Sequence, residues 1–98
     1  MKIRFNDGKE KQVITNPVEQ KLFRGGVATG WILNVSIASI TAEEADGLLT
    51  TDNISSITLL NDAGDEMCKI LGYEKISALT VRHNDTQSVA EIQFSKGV

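Results

Sequence analysis

His83 is the only histidine in the chain, and Asp85 and Ser88 follow close behind it. An imidazole, a carboxylate and a hydroxyl are the groups of nucleophilic acyl transfer. That chemistry needs them aimed at one another in space, which nearness within one turn does not supply. His83 is therefore read as a turn residue. Cys68, between Met67 and Lys69, is the only cysteine; alone it can neither close an internal disulfide nor hold a structural zinc, and it is expected to be buried as a small apolar side chain. Asp62, Asp65 and Glu66 offer hard oxygen ligands around Gly64. Their spacing is not that of a calcium loop, so they read as a solvated turn. Glu43 and Glu44 would leave a helix in different directions and serve its amino end rather than acid–base catalysis. The stretch Arg24-Gly25-Gly26-Val27-Ala28-Thr29-Gly30 lacks the Lys-Ser/Thr ending and the following helix of a phosphate loop. No catalytic residue, cofactor site or metal site is expected.

The elements that would position these groups are mostly strands, because the dominant apolar period is two. Ile3 and Phe5 alternate with Lys2 and Arg4 ahead of an Asn6-Asp7-Gly8-Lys9 turn, and residues 11–15 return with Val13 and Ile14. Pro17 has no amide donor and belongs at an edge, a bulge or a connection. Residues 18–24 form a short strand ended by Gly25-Gly26. The clearest strand covers residues 30–40, with Trp31, Leu33, Val35 and Ile37 on one face; Ile32, Ala38 and Ile40 make its second face partly apolar, as if a helix covered it. Thr41-Ala42-Glu43-Glu44 reads as a capping box, with Ala45, Leu48 and Leu49 as the apolar face of the one substantial helix and residues 50–53 ending it. Strands follow at 54–60, 66–71, 76–82 and 88–95, with turns at 61–65 and 83–87. Gly64 suits a left-handed position and Gly72 a bend before Tyr73. Ala90, Ile92 and Phe94 alternate with Glu91 and Gln93 in the last strand. The expected fold is mainly β in the α+β class: an antiparallel β-barrel or sandwich of about six to eight short strands with one short α-helix near residues 42–50.

Ninety-eight residues with no interior linker suit a single domain spanning 1–98. Thirteen acidic against ten basic residues give a net charge of −3, with the basic ones scattered, so nucleic acid is not an expected partner. No run approaches the ~20 apolar residues of a membrane-spanning helix, and the polar opening lacks a signal-peptide core. The expected location is the bacterial cytoplasm, and no membrane partner is foreseen.

Several segments together resemble a known group. They are Met1-Lys2-Ile3-Arg4-Phe5-Asn6-Asp7-Gly8, Phe23-Arg24-Gly25-Gly26 before a long alternating strand, Ile40-Thr41-Ala42-Glu43-Glu44, and Ile57-Thr58-Leu59-Leu60-Asn61-Asp62-Ala63-Gly64 followed by Gly72-Tyr73. In this order they are similar to small proteins encoded in the tail-gene regions of bacteriophages and prophages of Gram-positive bacteria. The resemblance implies a non-enzymatic structural or tail-assembly protein that acts through protein–protein contacts, with other tail proteins or further copies of itself as partners, and that ends in the virion. The candidate interface is Phe23, Arg24, Gly25, Gly26 and Val27 with Trp31. Trp31 belongs to the core in the preferred register and becomes an interface anchor if the alternation slips by one. The rival reading is a small regulatory or inhibitory module that binds a partner protein.

Overall fold

Apolar residues at every second position are collected on one side only by extended chain, and that geometry dominates the molecule. The computed structural model describes residues 1–38, 40, 42–83 and 88–98, the side chains of Ala42, Ala45 and His83 excepted. Among these residues the elements are β1 (Lys2–Arg4), β2 (Glu10–Arg24), β3 (Val27–Ala38), α1 (Ala42–Leu48), α2 (Thr51–Ile54), β4 (Ser56–Leu60), β5 (Glu66–Leu71), β6 (Lys75–His83) and β7 (Ser88–Lys96). The seven strands make one sheet in the order β5-β4-β1-β2-β3-β7-β6, antiparallel at every junction and open between β5 and β6. The mainly β, antiparallel expectation holds; the barrel alternative does not, because the outermost strands never pair.

β2 is the hinge of the architecture. Its residues 10–12 pair with β1, and from Val13 onward it pairs with β3, with register shifts between Val13 and Thr15 and between Thr15 and Val18. These bulges let the sheet curl, since an extra residue on one strand raises local twist and bend. The two strands expected at 11–15 and 18–24 are therefore corrected to one continuous strand, while Pro17 does sit at a bulge, one of the places expected for it, where a missing amide costs least. β3 likewise begins at Val27 rather than residue 30 and stops before Ile40, which is buried outside any strand.

Curling brings the inner faces of both halves together. Ile3 and Phe5, Leu33, Val35 and Ile37, Ile57 and Leu59, and Ala90, Ile92 and Phe94 belong to one buried cluster, completed by Ile40, Leu48, Ile54 and Tyr73. The alternation read for residues 33–37 and 90–94 is the burial pattern found. The outer face of β3 is not under a helix as expected. Asn34 and Ser36 instead line an open cavity of about 430 Å³ with Thr80, Glu91 and Gln93.

The helical segment departs from the single helix expected at 42–50. It divides into α1 and α2, and Ile54 ends α2 instead of opening a strand. Asn53 explains the second turn. It is buried, its Nδ2 donates to the Leu48 carbonyl, and its Oδ1 accepts the Asp7 amide at 2.7 Å. Its own carbonyl accepts the Asn6 amide at 3.0 Å. One side chain thus ties α1, α2 and the β1–β2 turn together, satisfying groups that burial would otherwise leave unpaired. The capping role read for Thr41, residues 84–87 of the turn read at 83–87, and the apolar contribution of Ala45 lie outside the described residues. His83, read as a turn residue, is instead the last residue of β6, paired with Ser88. Glu44, read as reaching back to that cap, pairs with Lys11 Nζ at 2.5 Å.

Candidate functional site

Gly25 and Gly26 both have positive φ, 60° and 80°, the requirement of a type I′ two-residue turn, and they join β2 to β3 as a tight hairpin. Because β7 reaches only as far as Trp31, which it pairs through Lys96, residues 27–30 and the strand opposite them extend past it. The hairpin end is accordingly a two-stranded arm, and the molecule is 44 Å along its longest axis. Phe23 and Val27, on either side of the turn, are 63% and 66% exposed, and Val18 and Leu22 are exposed further down β2. The candidate interface residues Phe23, Arg24, Gly25, Gly26 and Val27 therefore stand together at the tip. Trp31 lies at the base of the arm, half-buried and packed against the core cluster.

Four side chains that sequence reasoning passed over build the base of the arm. Lys21, opposite Trp31 in the β2–β3 ladder, holds its ammonium 5.5 Å from the Trp31 ring centre and 5.8 Å from that of Phe23. On the other side Lys96 stands 6.0 Å from Trp31 and 4.6 Å from Tyr73, and donates to the Leu71 carbonyl at 2.7 Å. Cations and rings thus alternate from the core to the tip, in the arrangement by which an ammonium meets the negative face of a π-system. Tyr73 is buried, meets Phe94 edge-on with ring centres 6.2 Å apart, and donates its hydroxyl to Glu19 Oε2 at 2.9 Å. The strand period of two relates only Glu19 and Lys21; the curled sheet brings Tyr73 and Lys96 to them.

Burial, then the hydrogen bond to Glu19 and the negative charge of that carboxylate, hold the Tyr73 phenol well above the ordinary tyrosine range. A group whose folded pKa is raised contributes stability that is complete below its unfolded value of about 10 and is lost as pH rises above it. Urea unfolding in alkaline steps is expected to show the native protein losing stability above about pH 10 by more than Tyr73→Phe, with the lysines common to both. Since Tyr73 is the only tyrosine, phenolate absorbance reads its titration directly. Ionisation in the ordinary range in the folded protein would contradict the buried geometry.

Elsewhere the reactive groups are dispersed. Among the described residues no three His, Cys, Asp or Glu side chains converge as a metal site. Of the acids near Gly64, Asp62 takes the Met1 amino group, Glu66 pairs with Arg4 at 3.2 Å, and Asp65 closes the turn with Asn61, whose Oδ1 accepts the Asp65 amide at 2.9 Å. Cys68 is exposed, correcting the buried position expected for it. It lies opposite Leu59 on β5, an outermost strand with no strand among the described residues paired beyond it. The His83 side chain is outside the described residues.

The fold and arm define an open antiparallel β-sheet protein whose most distinctive surface is a projecting apolar hairpin. Compared with family models, curated proteins and solved structures, the chain has no match.

Proposed function

We propose that this chain is a non-enzymatic tail-assembly protein of a bacteriophage or prophage, and that it works through protein–protein contacts made by the β2–β3 arm. The observation that carries this reading is the pair Phe23 and Val27, held in solvent on either side of a turn whose two glycines set its shape. Exposed aromatic and aliphatic side chains on a rigid ribbon are the material of binding hot spots, because they bury area on docking at little conformational cost. The resemblance to tail-region proteins supplies the class of partner, and the arm supplies the means of contact. The cytoplasm during assembly and the virion afterwards are the corresponding locations. No helix among the described residues is long and apolar enough to cross a membrane.

Purified chain mixed with the tail-tube and baseplate proteins of the same phage is expected to form a complex resolved by size-exclusion chromatography. Phe23→Ser with Val27→Ser is expected to weaken that complex at least about tenfold, the loss of a modest hot spot, while leaving the thermal melt nearly unchanged. Absence of any complex, or a complex indifferent to both substitutions, overturns the reading. A 1:1 complex with a regulatory protein instead would favour the small inhibitory module.

A further inference from the structure

We propose that a second copy of this chain adds to the free edge of β2, antiparallel and about a two-fold axis through Gln20, so that two sheets join into one. This goes beyond the tail-assembly reading, since it names a partner and a register that the reading does not require.

The inner rim of β2 pairs with β3 from Val13 to Arg24, with register shifts. Its outer rim is paired only at residues 10–12, by the three-residue strand β1, and at Val13, whose amide donates to the Met1 carbonyl at 3.0 Å. Beyond that point no strand among the described residues lies against it. Such a rim presents a row of unpaired amides and carbonyls, which is a template for another strand. Its usable part is short and well defined. The register shift between Thr15 and Val18 interrupts β2 itself, whereas the one between Leu22 and Phe23 comes from the extra residue Thr29 of β3. β2 is uninterrupted from Val18 to Arg24, and Pro17 has no amide to offer at its near end. Within that run Gln20 stands between the opposite charges of Glu19 and Lys21, and a pair centred on it ends at Val18 and Leu22, because Phe23 would face Pro17 of the second copy.

The direction of the backbone groups follows from one contact. The Leu22 carbonyl accepts the Thr29 hydroxyl at 3.3 Å and so points toward β3. Backbone groups alternate in direction along a strand, so those of Val18 and Gln20 also face β3, whereas those of Glu19 and Lys21 face outward. In an antiparallel pair centred on Gln20, Glu19 of each chain lies opposite Lys21 of the partner subunit, and the two residues exchange both backbone hydrogen bonds. Their side chains meet as opposite charges. On the other face Val18 lies opposite Leu22 of the partner subunit, covering two side chains that are 50% and 41% exposed in the single chain. Moving the centre to Glu19 or to Lys21 would set like charges against each other, so the charge order selects this one register. The remaining edges lack this charge order: β5 is bulged between Glu66 and Cys68, and β6, though uninterrupted from Ala78 to His83, carries no acidic residue.

Five facing residues make a small contact, so a weak two-fold dimer is expected, seen by sedimentation as concentration-dependent association below about 1 mM. Lys21→Glu places two acids opposite two acids and is expected to weaken association at least about tenfold. The exchange E19K/K21E restores opposite charges in the same register and is expected to return association to within about threefold of the native value. Because Glu19 also accepts the Tyr73 hydroxyl, Tyr73→Phe serves as the control that removes that bond without touching the edge. Far-ultraviolet dichroism and Trp31 fluorescence check that each variant is folded. A native chain that stays monomeric to about 1 mM, a dimer unmoved by Lys21→Glu, or a folded E19K/K21E that fails to reassociate overturns the proposal. A monomer that still binds tail proteins through Phe23 and Val27 sinks this dimer and leaves the tail-assembly reading standing, and a dimer indifferent to every tail protein does the reverse.

Discussion

Phe94→Ala is expected to cost about 3–5 kcal/mol of folding stability, the usual range for truncating a fully buried aromatic residue. Phe94 has no exposed surface, lies between Leu33 of β3 and Ile76 of β6 in the ladders, and meets Tyr73 in an edge-type ring contact. Removing the ring takes away its transfer energy and leaves a hole that strands held by hydrogen bonds on both sides cannot close. The hole would open beside Tyr73, whose hydroxyl anchors Glu19 of the arm, so the damage should spread toward the hairpin. Against a total stability of about 5–15 kcal/mol for a natural domain, the variant should be marginal, with a melting temperature lower by tens of degrees. Urea unfolding followed by Trp31 fluorescence measures this, and Phe94→Leu is expected to recover most of the loss. A cost below about 1 kcal/mol would mean that the ring is not packed as described.

Gly30→Ala is expected to destabilise by about 1–3 kcal/mol despite adding only a methyl group, which is the range for overpacking. A Cβ at this position would stand 2.6 Å from the backbone carbonyl oxygen of Lys96, well inside van der Waals contact. A backbone atom cannot swing aside as a side-chain tip can. Either the end of β7 or the base of the arm must move, and either movement separates Lys96 from Trp31 and Tyr73. The variant should therefore combine a lower urea midpoint with altered Trp31 emission and faster amide exchange at residues 94–96. Unchanged stability and emission would show that the two backbones are not in close approach.

Much of this molecule was legible locally. The alternation of Leu33, Val35 and Ile37, and of Ala90, Ile92 and Phe94, declared both strands and their buried faces, because side-chain direction repeats every two residues whatever the chain later pairs with. Gly25-Gly26 declared a turn, and the residues beside it proved to be the exposed tip of an arm. Cys68 misled for an instructive reason. It lies in an edge strand opposite a largely buried leucine, on the same face as Ile70, which is buried. The cover over that face reaches Ile70 but not Cys68, and how far it reaches is not a property of the strand's own residues. Asn53 misled in a similar way, since its burial depends on Asp7 and Leu48 converging on it.

The sequence by itself thus determined most of the strands and the tight turns between them, since dihedral preference and apolar period act over a few residues. Tertiary structure alone decided that β1 lies between β2 and β4, that β2 runs unbroken past Pro17, and that Glu19, Tyr73, Lys96 and Trp31 support one arm. Those outcomes depend on which distant strands together remove the most apolar surface from water, a sum over the whole chain that no short window of residues contains.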